Sequence, residues 1–345
     1  MKTSPRIGIV GGGFVGLFLA LRLRERGGDV TVFEAAPETG GLAAPADIGP
    51  YRWDRFYHVI LLSDAHTLAL IGDLGLQDQL RWGVTRTGFY TEGALYSLSD
   101  SLEFLRFPPL TLLDKARLAA TIVVASRIRD WRGLEAIPVV DWLRRWSGRR
   151  VTEKIWLPLL KSKLGENYRV ASAAFIWAII ARMYAARRAG LKREMFGYVD
   201  GGYELVLQRL RSRLDELGVR VATGTRVDQI RDDRSYARVS AGATTHQFDQ
   251  VIVTVPTPHA SKLCPQLAAE EKKRLDRVTY QGIVCASLLL RKSLGGFYVT
   301  NITDPAPFTG VIEMTALVDR ERFGGHSLVY LPRYLAQDEE FWDLD

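Results

Sequence analysis

Residues 6–10 (RIGIV) form a short, nearly unbroken apolar run, the pattern of a parallel strand buried on both faces. A glycine-rich turn follows, and the next stretch predicts a helix over residues 14–26, halted by Gly27-Gly28. Residues 29–33 (DVTVF) return as a second strand that closes on Glu34. Beyond residue 60 the pattern changes. Residues 64–74 read as a helix between Ser63 and Gly75, and residues 89–96 as a hairpin turning at Glu92-Gly93. Pro108-Pro109 precedes a helix predicted over 112–131, and Pro138 opens another that carries Trp142, Leu143 and Trp146. A helix over 152–164 contains Pro158, where a kink is expected. Residues 170–189 are apolar all round in their first half, which places that helix inside a helical cluster. A helix over 203–217 and strands at 219–223, 249–256, 279–290, 310–316 and 327–332 complete the pattern. The chain is α/β, with two domains that it crosses between several times.

The turn after the first strand carries Gly11, Gly13 and Gly16 at the G-x-G-x-x-G spacing. The first glycine permits the tight turn and the second lets a pyrophosphate approach the backbone. The third lets the helix pack closely on the strand. Phe14 and Val15 open that helix, whose amides and dipole favour an anion. Glu34, about 20 residues on, is placed to accept hydrogen bonds from a ribose. Its charge repels a 2′-phosphate, so NADP is disfavoured. A strand before, a helix after and an acid at the next strand end together specify a dinucleotide site.

Gly40-Gly41, six residues past Glu34, completes a composite that resembles the flavin-dependent amine oxidase superfamily, which includes protoporphyrinogen oxidases and phytoene desaturases. Gly197-Tyr-Val-Asp-Gly-Gly202 resembles the segment by which such chains re-enter the FAD domain, and residues 249–256 the strand that closes that return. The resemblance implies FAD held by Gly11, Gly13, Phe14, Val15, Gly16, Glu34, Gly40 and Gly41, with Val227 meeting the adenine through its backbone. It implies a Rossmann-type FAD-binding domain (1–60 and 196–256) interleaved with a helical-plus-sheet substrate domain (61–195 and 257–345). Two departures stand out. The strand at 280–290 offers no lysine of the kind amine oxidases place near flavin N5, so amine oxidation is disfavoured. The family's C-terminal Gly-Asp flavin segment has no counterpart before Asp345, and the chain reads as a C-terminally incomplete fragment.

Charge adds a partner. Residues 101–195 hold 19 Lys and Arg against 8 acids, whereas the rest holds 27 against 31, so the net +7 belongs to the helical insertion. Arg144, Arg145, Arg149 and Arg150 surround Trp142 and Trp146, either an interfacial pattern for anionic headgroups or a solvated face over buried tryptophans. Lys161 and Lys163 either hold a substrate phosphate or are solvated. No nucleic-acid motif accompanies the charge. No apolar run reaches the ~18 residues of a membrane span, and no secretory signal precedes the first strand. The expected compartment is the cytoplasm, peripheral to the inner face of the membrane. Cys264 and Cys285 have no metal or redox spacing, and no metal is expected.

With a flavin present the cofactor carries the redox step, and no catalytic acid or base is required to stand out. Tyr57 and His58 follow the glycine pair closely enough to lie near the reactive ring: His58 as proton shuttle or packed structural residue, Tyr57 as substrate-facing or core aromatic. The leading expectation is dehydrogenation or desaturation of an apolar or lipid-linked substrate. A mutase acting on a nucleotide-diphosphate sugar and a non-catalytic flavin-binding or membrane-associated protein are the alternatives.

Overall fold

The computed structural model describes residues 4–99, 101–188 and 195–335. Residues 336–345, and with them the expected chain-end features, lie outside the described residues, as does the end of the helix expected to reach Ala189. The chain divides into two compact units. One comprises residues 1–56, 70–79 and 199–279; the other, residues 57–69, 80–198 and 280–345. Residues 257–279 therefore group with the nucleotide-type unit and not with the insertion.

The first unit is built on four parallel strands in the order Gln250–Val253, Arg6–Val10, Asp29–Phe33, Arg220–Ala222. Val10 pairs with both Val253 and Phe33, so the first strand is central and Ile9 is fully buried. That is why residues 6–10 are apolar almost throughout: both sheet faces are covered. The helix Phe14–Glu25 crosses back between the first two strands. A meander of Gln229–Asp232, Ala237–Ala241 and Thr244–Phe248 lies beside the sheet, and Val10, Phe33, Val227, Val239 and Phe248 form a shared core.

The second unit holds a six-stranded sheet in the order Gly282–Leu290, Ser327–Leu335, Gly310–Glu313, Val299–Ile302, Thr87–Thr91, Ala94–Ser97. Only Val299–Ile302 with Thr87–Thr91 is parallel, which joins the expected hairpin to strands two hundred residues away in sequence. The strand Val299–Ile302 has no sequence signal strong enough to stand out, because it is short and half-buried. The hairpin turns at Glu92 (φ 53°) and Gly93 (φ 74°), and the Asp304 carboxylate accepts from both their amides at 2.9 and 2.8 Å.

The helical insertion packs around Trp142, Leu143, Leu160, Tyr168, Ile176 and Ile180. The helix expected to run to residue 131 ends at Arg127, started by a Thr111–Asp114 capping box. The expected kink at Pro158 lies upstream instead. Gly148 breaks the helix Val139–Val151 with φ 79°, and a π-helical turn spans Thr152–Trp156. Pro158 then opens Leu157–Leu164 directly after that π-turn, which absorbs its missing N–H.

Candidate active site

The cofactor end of the site is written in backbone. Gly11 has φ +113° and donates its N–H to the Phe33 carbonyl (2.9 Å), which ties the turn to the end of the second strand. A Cβ at Gly16 would come within 2.0 Å of the Gly11 carbonyl oxygen, so the helix meets the turn at a distance only glycine allows. Gly13 differs. Its φ is −70°, and a Cβ there would find nothing nearer than the Gly41 Cα at 4.0 Å. No contact inside the protein demands glycine at this position. The open space lies beside the start of the helix Phe14–Glu25, where a pyrophosphate would approach.

Gly40-Gly41 folds onto this loop: Gly40 N–H donates to the Gly12 carbonyl at 2.9 Å, and Gly13 and Gly40 form a parallel bridge. Their φ values of +122° and +57° are the left-handed conformations that side chains disfavour. Glu34 closes the pocket's floor, accepting from Gly12 N–H (2.6 Å) and Ala36 N–H (2.8 Å). Thr225 N–H donates to the Glu34 carbonyl, and Val227 is buried against Val10 and Phe33. A cleft of about 540 Å³ opens over Gly11, Glu34, Ala35 and residues 225–228. Phe14 packs edge-on against Tyr203 at 5.9 Å, and Val15 is 67% exposed at the helix start. The residues present fit the adenosine and pyrophosphate of a dinucleotide.

Two residues not anticipated from the sequence hold this frame. Thr254 Oγ1 bonds the carbonyls of Val10 and Gly11, both at 3.1 Å, pinning the first glycine to the neighbouring strand. Asp54 is 3% exposed and accepts the Tyr203 N–H at 2.8 Å, joining the hairpin Pro45–Ile48/Tyr51–Asp54 to the start of the helix Gly202–Glu216. Gly202 has φ +70°, and a Cβ there would meet the Asp54 carboxylate at 2.8 Å. Burial pushes the Asp54 carboxyl up to about 7; the Tyr203 N–H opposes this and the Glu204 charge adds to it. An acid at a strand end beside Arg55 gives no local sign of such a partner 149 residues away.

The second unit gathers a different cluster. Tyr57 and Tyr334 hydroxyls lie 2.7 Å apart, and Tyr57 packs at 6.3 Å from the Tyr330 ring. Burial, then the Tyr334 neighbour, pushes the Tyr57 phenol well above its ordinary range, so its hydroxyl stays protonated at neutral pH. Lys163 Nζ stands 5.9 Å from the Tyr334 ring centre, and no ion pair to it occurs among the described residues. Lys161 does not join it; its ammonium lies 5.7 Å over Tyr168 instead. His58 is half-buried, and burial pushes its imidazole below the usual range, so it is neutral at pH 7.

Of the two readings of Trp142 and Trp146, packing against the helical core is the one their positions favour, with Trp146 half-buried. Trp142 is 4% exposed in the helical core and Trp146 packs against it, because the helix phase turns both inward. Two of the surrounding arginines are paired, Arg149 with Glu153 at 2.8 Å and Arg150 with Asp114 at 3.2 Å. Among the described residues no cluster of three metal-binding side chains occurs, and no helix is long and apolar enough to cross a membrane. Both cysteines are free thiols, and burial pushes the Cys285 thiol up to about 11.

With this geometry in place, similarity to known proteins is informative. The model of the flavin containing amine oxidoreductases matches residues 14–343. Protoporphyrinogen oxidase 2, chloroplastic/mitochondrial, of Arabidopsis thaliana is 31% identical over 88 residues, 26% of this chain and 17% of that protein. A second plant relative, the mitochondrial protoporphyrinogen oxidase of Nicotiana tabacum, is 28% identical over 89 residues, so the matched stretch spans less than a fifth of either relative. An oxidoreductase of Methanosarcina mazei superposes with a TM-score of 0.77 at 18% identity, over 98% of this chain and 81% of that one. A triple mutant of putrescine oxidase superposes at 0.76 and 17% identity, over 99% and 78%. These superpositions show a shared α/β fold. The chain belongs to the flavin-containing amine oxidoreductase family.

Proposed function

We propose that the protein binds FAD and dehydrogenates or desaturates an apolar or lipid-linked substrate. The observation that carries the cofactor is Gly13: a glycine in an unstrained conformation, with open space beside it, between a strand end and a helix start. Gly11, Gly13, Gly16 and the first turn of Phe14–Glu25 would hold the pyrophosphate, Glu34 the ribose, and Val227 the adenine through its backbone. Bound FAD would supply a hydride acceptor at N5.

The protein's own side chains then bind, orient and handle protons. Glu34 orients the adenosine end, and Asp54 fixes the Tyr203 turn. Tyr57 and Tyr334 present phenol O–H groups, one donating to the other and the second available to a substrate oxygen. Lys163 adds a cation beside them, suited to a phosphate or carboxylate at the substrate's polar end. His58, held neutral, is suited to accept a proton at an imidazole nitrogen and not to donate one. The strand Gly282–Leu290 carries no lysine, which supports a carbon substrate over an amine.

The test is anaerobic. Protein carrying FAD, mixed with polyprenyl or polyene substrates without added reductant, should lose its yellow absorbance as substrate is oxidised. Turnover of a nucleotide-diphosphate sugar only after dithionite reduction, with no net redox change, would replace this reading with a mutase. A protein that never accepts FAD would end both.

A further inference from the structure

The helix Leu112–Arg127 is turned inside out. Three of its polar residues, Asp114, Lys115 and Thr121, face inward and are satisfied there. The Asp114 carboxylate accepts from Thr111 Oγ1 at 2.7 Å and pairs with Arg150; Lys115 Nζ donates to the Leu105 carbonyl at 2.7 Å; Thr121 and Ser147 hydroxyls lie 2.7 Å apart. The outward side is apolar. Leu112 and Leu113 are 75% and 61% exposed and Val123 is 37% exposed, with Ala116, Ala119 and Ala120 exposed between them. At 3.6 residues per turn these six positions share an arc of roughly 120°. The Lys115 bond to Leu105 ties the preceding helix, Ser101–Arg106, to the same corner, and that helix adds Leu102 and Leu105, each 54% exposed. A contiguous apolar face of this kind on a folded protein marks an interaction surface.

Charge identifies the partner. The exposed charged residues of Leu112–Arg127 are Arg117 and Arg127, and Arg106 is exposed on the neighbouring helix. The helix's one carboxylate, Asp114, is buried and paired. A second copy docking face to face would set these arginines against their own equivalents. An anionic lipid surface instead neutralises them while the leucines enter the acyl boundary. We propose that this leucine-rich face rests on an anionic membrane surface. The face differs from the one expected around Trp142 and Trp146, and it requires neither a bound flavin nor a particular substrate.

The experiment is cosedimentation of the full chain with phosphatidylcholine vesicles, with and without phosphatidylglycerol. Binding should require phosphatidylglycerol and weaken as salt rises. Replacing both leucines (Leu112→Gln with Leu113→Gln) should lower partitioning by roughly tenfold or more, from the lost apolar burial. Arg106→Gln with Arg127→Gln should lower it by roughly 25-fold, at about fivefold per cation. All four positions are exposed, so circular dichroism and melting should match the unaltered protein. Lys273→Gln with Arg274→Gln, which removes the same charge from exposed positions elsewhere, should leave partitioning nearly unchanged. An equal loss in that control means net charge alone drives binding and overturns the proposal. So does failure to bind anionic vesicles, binding indifferent to the leucines, or a lipid-free dimer in sedimentation velocity that Leu113→Gln disperses.

Discussion

Residues 6–41 and residues 139–169 both carry dense motifs, and folding treats them differently. In the first, each glycine lies where its spacing puts it, because what matters is backbone: a turn, a close approach, an N–H aimed at a carboxylate. In the second, what matters is which way side chains point. Trp142 turns into the core, Arg149 and Arg150 find acids, and Lys161 and Lys163 settle over different rings. A motif written in main-chain geometry survives folding intact. One written in side chains depends on helix phase, and here Gly148 and the π-turn at Thr152–Trp156 reset that phase midway.

The sharpest way to break this contrast lies within the glycine loop itself. Gly16→Ala sets a methyl against the Gly11 carbonyl at 2.0 Å, main chain against main chain, with no flexible neighbour to yield. A destabilisation of about 3 kcal/mol or more is expected in urea unfolding, along with loss of bound flavin. Gly13→Ala should behave oppositely. Its methyl meets no protein atom closer than 4.0 Å, so the apoprotein should keep its stability within about 0.5 kcal/mol. Flavin affinity should nevertheless fall by roughly tenfold or more, because the methyl occupies the pyrophosphate's approach. If FAD binds Gly13→Ala as tightly as the unaltered protein, the space is not a cofactor cradle.

The same contrast explains what could be read from the sequence. The four-stranded nucleotide sheet, its first helix and the glycine and Glu34 positions were legible because strand–turn–helix signals are local. The hairpin at Glu92-Gly93 was equally plain. The parallel pairing of Thr87–Thr91 with Val299–Ile302 was not, because nothing in either segment specifies a partner so distant. Asp54 and Thr254 escaped for the same reason: each acts by hydrogen bonding to main chain more than a hundred residues away. Tyr334, the partner of Tyr57 and Lys163, looks like any other aromatic in a strand until the sheet aligns it.

Asp54 offers a test that reads on pH. Its folded-state value of about 7 lies above the ordinary 3.8, so between these values the folded protein holds a proton that the unfolded chain has released. Its stabilising contribution is therefore complete below about pH 4 and lost as pH rises through 7. Asp54→Asn keeps an oxygen for the Tyr203 N–H but removes the titration. Over that window its stability should fall less steeply with pH than that of the unaltered protein, by about 1 kcal/mol per pH unit. Urea midpoints at pH 5, 6, 7 and 8 measure this; parallel curves would show that the carboxyl is not held protonated.

The smallest effect separates two lysines of one motif. Lys163 stands over Tyr334, whose hydroxyl meets Tyr57, while Lys161 stands over Tyr168, a residue 8% exposed in the helical core. If the phenol pair marks the polar end of the substrate site, only Lys163 is placed to share the ligand's charge. An exposed ion pair contributes about 0.2–1 kcal/mol, so Lys163→Ala should weaken farnesyl diphosphate binding by about threefold in a fluorescence titration. Lys161→Ala should leave the same titration unchanged. Equal losses from both would mean that the ligand senses the insertion's overall charge, and the side-chain motif would then have no more positional meaning than its sequence suggests.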